Sequence, residues 1–144
     1  APVHVTWARR SRSALIRIPG YKPNKEEACR VELRNPDPSA NPYLVFAVTL
    51  AAGLKGMEEE LSLPDPIEDG NLHLATRQQL KEKGIQTLPD TLGEAVELFA
   101  QSELMKETLG EHIHSFLVEK KREEWNEFQR HVTDWELERY LSVL

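Results

Sequence analysis

Residues 30–44 constrain this chain more than any other stretch. They read Arg-Val-Glu-Leu-Arg-Asn-Pro-Asp-Pro-Ser-Ala-Asn-Pro-Tyr-Leu. Side chains alternate across the two faces of a strand, so Arg30, Glu32 and Arg34 share one face and Val31 and Leu33 the other. Charges in plus-minus-plus order are costly to bury unless they meet ligands, metals or each other. Pro36, Pro38 and Pro42 then predict a rigid connector that aims the charged strand relative to the next element. Asn41-Pro42 predicts a helix start, a capping side chain followed by proline at the first helical position.

A second arginine-rich block lies upstream, where residues 8–19 read Ala-Arg-Arg-Ser-Arg-Ser-Ala-Leu-Ile-Arg-Ile-Pro. Residues 3–7, 13–18 and 29–34 are β-rich or alternate, and are expected to be strands. Residues 20–27 form a polar loop. A helix is expected over residues 42–60, apolar nearly all round between 43 and 54 and therefore deeply buried, with Glu58, Glu59 and Glu60 solvated. Residues 62–71 read as a surface loop. Thr76 with Gln79, Thr91 with Glu94 and Thr133 with Glu136 fit the capping box. Ser102 suits the cap of a short helix ending at Gly110. Residues 111–129 read as a long amphipathic helix that buries Ile113, Phe116, Leu117, Trp125 and Phe128. A last short helix is expected over 134–141. The expected class is α+β, short antiparallel strands in the N-terminal third followed by a helical C-terminal part, in one domain over residues 1–144.

The chain has 144 residues, 40% hydrophobic and 29% charged, which suits a soluble globular domain and excludes disorder. A formal net charge of -6 argues against bulk attraction to nucleic acid or to an anionic membrane. Yet Arg9, Arg10, Arg12, Arg17, Lys22, Lys25, Arg30 and Arg34 crowd the first quarter. One basic region on an acidic protein points to a local anionic ligand. With Cys29 alone, no intrachain disulfide is possible; a cytoplasmic location fits. The longest uncharged run is too short and too polar to span a membrane, and two arginines interrupt any leader-like apolar region near the start.

The two arginine blocks closely resemble the glutamine synthetase family. Its members carry a pattern like Asn-Arg-Ser-Ala-x-x-Arg-x-Pro, then one like Arg-x-Glu-x-Arg-x-x-Asp-Pro-x-Ala-Asn-Pro-Tyr-Leu. The likeness continues through Ala51-Ala52-Gly53-Leu54, Leu109-Gly110-Glu111-His112 and Trp135-Glu136-Leu137-Glu138-Arg139-Tyr140. It covers nearly the whole chain but only the C-terminal part of the family's longer chains. The resemblance implies a catalytic-domain portion of an enzyme that joins ammonia to the γ-carboxylate of L-glutamate through γ-glutamyl phosphate. ATP would be a substrate and Mg²⁺ or Mn²⁺ the cofactor. It also implies a homo-oligomeric ring, a dodecamer, in which the C-terminal helix over residues 133–144 reaches a neighbouring subunit. Because the chain opens inside a strand-like run without methionine, and the family's other metal ligands precede this region, it is expected to be a piece that is inactive alone.

The same resemblance assigns roles by position. Arg12 would sit near the transferring phosphate and the substrate glutamate. Arg17 would contact ATP phosphates, and Arg30 would lie on the nucleotide side. Glu32 would ligand the metal that engages those phosphates. Arg34 would hold the glutamate or the developing acyl phosphate. The residue types suit the task, because arginine grips carboxylate and phosphate bidentately and a carboxylate is a hard ligand for Mg²⁺ or Mn²⁺.

Residue chemistry alone favours a simpler reading of Glu32, a cross-strand ion pair with an arginine. It also leaves Arg9 and Arg10 as solvated side chains. His112 and His114 lack the i, i+4 spacing of a helical zinc pair, and Trp125 and Trp135 are expected to be packing anchors. Two departures from the family pattern stand out. Ser11 replaces the asparagine before Arg12, and Asn71-Leu72-His73 replaces the Asn-Leu-Tyr segment that some bacterial members adenylylate, so no such control is expected. Two rival readings are a ligase for an amine other than ammonia and a non-catalytic assembly or regulatory module.

Overall fold

The computed structural model describes residues 2–68 and 72–143, with the side chain of His73 excepted. Asn71 and the His73 side chain, on which the adenylylation expectation rests, lie outside the described residues, as does Leu144 at the end of the expected inter-subunit helix. The chain forms two compact units, Ala1–Leu88 and Pro89–Leu144.

Unit 1 holds a three-stranded sheet of very short strands, β1 (Trp7–Ala8), β2 (Ile16–Arg17) and β3 (Glu32–Leu33), in that spatial order. β2 and β3 are antiparallel, pairing Arg17 with Glu32 and Ile16 with Leu33. β1 and β2 are parallel, so the pairing is mixed where a wholly antiparallel arrangement was expected. Parallel neighbours ordinarily need a long crossover. Here the paired segments are two residues each, and the loop of residues 9–15 suffices to turn the chain back. The backbone of residues 3–5 clasps residues 86–88: Val5 N–H donates to Gln86 O at 2.8 Å, Leu88 N–H to Val3 O at 2.8 Å, and His4 bridges Thr87. The apolar core is small. Leu72, Leu80 and Ile85 cluster with Ile67 and Ala75, and Ala8, Ala14 and Leu15 are buried near the sheet.

The connector after β3 is pinned as its prolines suggest: Asp37 Oδ1 accepts from the Ser39 N–H at 2.7 Å and from its hydroxyl at 2.5 Å. Helix α1 (Pro42–Glu58) starts where expected, with the Asn41 side chain accepting from the Tyr43 N–H at 3.0 Å. The expected burial of α1 is overturned. Tyr43 is 82% exposed and Phe46 71%, and no residue of the helix is buried. An apolar stripe is buried only against a partner surface, and among the described residues of its own unit no helix or strand lies against α1. Helix α2 (Arg77–Glu82) carries the full Thr76/Gln79 capping box.

Unit 2 is helical. Helix α3 (Leu92–Gln101) packs on α4 (Glu103–Arg130). Thr91 accepts from the Glu94 N–H at 3.1 Å, but the Glu94 carboxylate turns to the N–H of Asp90, so only half of the expected box forms. Ser102 caps α4, and Gly110 (φ 74°, ψ 158°) breaks it at the expected point. The face of α4 that is buried is not the expected one. His114 and Val118 are buried, Leu117 and Trp125 half-buried, and Ile113, Phe116 and Phe128 exposed. The reason is the register of the contact with α3: His114 stacks on Phe99 (centroids 4.9 Å apart) with Nε2 3.1 Å from the Phe99 carbonyl. This places His114 in a packing role. Trp125 lies against Gly93 and stacks on Phe128. Helix α5 (Asp134–Tyr140) has a complete Thr133/Glu136 box. Trp135 is 60% exposed, with its ring against Tyr140 and Arg139 of its own helix, so it is not the packing anchor expected. No described helix is long and apolar enough to cross a membrane.

Candidate functional site

The candidate residues sit on and around the β2–β3 pair. Register places Arg17 directly opposite Glu32. Arg17 Nε lies 2.7 Å from Glu32 Oε2 and Nη2 3.2 Å from Oε1, a bidentate pair. Arg30, two residues before Glu32 and just ahead of β3, brings Nε to 2.9 Å and Nη2 to 2.8 Å of Oε1. It also donates to the Ala28 carbonyl at 3.2 Å. Glu32 is thus shared by two guanidiniums. Side-chain exposure falls from 54% at Arg30 to 27% at Glu32 and 20% at Arg17, so the pair across the strands is the better shielded. The Arg17 hydrogen bond, then Arg30, holds the Glu32 carboxyl below the usual carboxylate range, against the opposing effect of desolvation.

Arg34 follows β3 and points its guanidinium back across the sheet. Nη1 donates to the Arg12 carbonyl and, at 3.4 Å, to the Ala14 carbonyl, while the Arg34 N–H donates to Leu15 O at 3.0 Å. The Arg12 side chain itself is exposed, in the loop between β1 and β2. The structure therefore joins Arg17, Glu32 and Arg30 through side chains. It joins Arg34 to Arg12 through the main chain.

One residue escaped the sequence reading. The carboxylate of Glu68 accepts three successive backbone N–H groups, from Arg9 (2.7 Å, Oε1), Arg10 (3.0 Å, Oε2) and Ser11 (3.1 Å, Oε2). The Arg9 bond first, with Arg10 and Ser11, keeps the Glu68 carboxyl below its ordinary range. No local pattern signals a contact that spans 57 residues or more. Arg9 and Arg10, read as merely solvated, contribute main-chain donors here, and the Arg9 guanidinium also lies 5.8 Å from the Trp7 ring centroid. Ser11, in the position of the family's asparagine, is buried and holds its turn with Oγ accepting from the Ser13 N–H at 3.3 Å.

A divalent cation of the expected kind takes about six oxygen ligands. Among the described residues no group of three or more His, Cys, Asp or Glu side chains could hold a metal ion. Glu32 can offer one carboxylate, both of whose oxygens already face arginines. These residues alone do not make a metal centre.

The family model described as "Glutamine synthetase, catalytic domain" matches residues 1–140. A glutamine synthetase of Mycolicibacterium smegmatis is 45% identical over 143 residues, 99% of this chain and 32% of that protein. One from Methanocaldococcus jannaschii is 41% identical over 141 residues, covering 98% of this chain and 30% of its own length. A solved structure described as "Apo GmaS without ligand" superposes with a TM-score of 0.76 at 30% identity, over 97% of this chain and 30% of that one. The chain thus spans about a third of the length of the curated relatives it matches.

Proposed function

This chain belongs to the glutamine synthetase catalytic-domain family, and from that premise we propose that it supplies the arginine-lined part of an ATP-dependent ligase site. The reaction joins ammonia to the γ-carboxylate of L-glutamate. A glutamate carboxylate oxygen attacks the γ-phosphorus of ATP, the bond to the β-γ bridging oxygen breaks, and ADP leaves. Ammonia then attacks the acyl carbon of γ-glutamyl phosphate, phosphate departs, and the nitrogen loses a proton.

The observation that supports this reading is the gathering of four arginines around one short strand pair: Arg17 and Arg30 on Glu32, and Arg34 braced against the Arg12 main chain. Two anions repel, and fixed cations offset that repulsion most where the phosphoryl group is in flight. Arg17 and Arg30 are proposed to meet ATP phosphates, and Arg12 the transferring phosphate. Arg34 is proposed to orient glutamate or the acyl phosphate. A divalent cation, when bound, would neutralise the phosphate oxygens; Glu32 is proposed as one of its ligands, with the others from outside the described residues. The ring assembly, with residues 133–144 meeting a neighbouring subunit, is proposed on the same ground. The exposed α5 agrees with it, since among the described residues of its own unit no other helix or strand lies against it.

The test is ADP release by the complete protein with ATP, glutamate and ammonia, repeated with a panel of primary amines. Release that requires ammonia supports the reading. Release only with another amine selects a γ-glutamyl-amine ligase. No release with any amine leaves an assembly or regulatory module.

A further inference from the structure

We propose that Glu68 is a positioning residue for Arg12, acting through the main chain of residues 9–11; the role assigned to Arg12 rests on the functional reading above. Successive backbone N–H groups that converge on one point make an anion cradle. Here the cradle of Arg9, Arg10 and Ser11 is filled by a carboxylate from the same chain. Two further bonds fasten the segment that carries Glu68 to β1. Trp7 Nε1 donates to Pro64 O at 2.6 Å, and the Ile67 N–H donates to Trp7 O at 2.9 Å.

Arg12 begins where the cradle ends. Its main chain is held before it by the Ser11 N–H on Glu68, and at its own carbonyl by Arg34. The side chain is left exposed while its point of attachment is fixed on both sides. Phosphoryl transfer is sensitive to such placement, since a shift of about 1 Å can cost on the order of a hundredfold in rate. An acidic residue in a distant loop therefore sets where a catalytic guanidinium starts from.

The experiment compares Glu68→Ala, Glu68→Gln and Glu68→Asp in the complete protein, each also in an Arg12→Ala background. Three readouts are needed: amide hydrogen exchange at residues 9–11, kcat and KM. Glu68→Ala is expected to speed exchange of the Arg9, Arg10 and Ser11 amides and to lower kcat/KM by on the order of ten- to hundredfold, chiefly in kcat. Glu68→Asp, which keeps the carboxylate, is expected to recover part of the loss. In the Arg12→Ala background the same change is expected to cost less than about twofold, because two residues acting as a unit are not additive. Equal losses in both backgrounds, or full activity despite rapid exchange, overturn the proposal. Should Glu68→Ala fail to fold, Glu68→Gln, which keeps the volume and one acceptor, carries the same cycle. An unmutated protein without turnover refutes the functional reading itself, and with it the role given to Glu68, an outcome distinct from additive losses in an active enzyme.

Discussion

Arg17 and Glu32 are cross-strand partners, side by side in register and joined by two hydrogen bonds, the shorter 2.7 Å. The carboxyl is held low, first by Arg17. Its stabilisation is therefore in place above the ordinary carboxylate value and is lost as pH falls through the depressed folded value. Thermal unfolding of the wild type and of Glu32→Gln, from about pH 7 down to about pH 3, checks this. The wild type is expected to melt higher at neutral pH, with the gap closing on acidification. A gap that is constant or widens toward acid counts against the pairing.

A side chain at Gly93 has no room. A Cβ there would stand 2.5 Å from Trp125 Nε1 and 2.8 Å from Cε2, a rigid ring rather than a flexible tip. Alanine ordinarily gains up to about 1 kcal/mol over glycine inside a helix. Here Gly93→Ala is expected to destabilise by about 1–3 kcal/mol through overpacking. Chemical denaturation of the single variant and of the Gly93→Ala, Trp125→Ala pair tests it. With the indole gone, the alanine should become neutral or stabilising.

Gly110 presents the opposite case. A Cβ would meet nothing within 4 Å, but φ is 74° with ψ 158°, a region almost closed to other residues. Gly110→Ala is expected to cost about 1–3 kcal/mol from backbone strain alone. A melting temperature unchanged by the substitution would show that the break in α4 is not held in this conformation.

The 144 residues by themselves are not expected to form glutamine. Glu32 is one carboxylate between two arginines, and no group of three metal donors occurs among the described residues. Phosphate release assayed with ATP, glutamate, ammonia and Mg²⁺ decides the matter, and steady turnover would falsify the idea.

Residues whose structure is settled by their neighbours in sequence were legible. Asn41-Pro42, Thr76, Ser102, Gly110 and Thr133 each start or break a helix where expected, because caps and a positive φ are local requirements. Arg30 and Glu32 meet as expected of residues two apart, but the strand expected over residues 29–34 keeps only Glu32 and Leu33, and Arg34 turns instead to the Arg12 and Ala14 carbonyls. Burial was harder to read. Phe46 and Leu50 are as apolar as any core residues yet exposed, since hydrophobicity states a demand for a partner and does not supply one. The α4 stripe was misjudged because His114, a polar residue, occupies the central contact with Phe99. Within the site, the arginines were found through the family pattern. Glu68 was not, because an acid that binds main-chain amides leaves no mark on the residues it binds.

The clasp between residues 3–5 and 86–88 closes a loop of roughly eighty residues, and the entropy of closing such a loop is lost before these long-range contacts reward it. The α3–α4 hairpin is built from near neighbours in the chain. The two units thus differ in how they are reached during synthesis. The hairpin can form as soon as its own residues emerge, whereas the first unit is completed only when its last residues return to its beginning, however early its arginines were made.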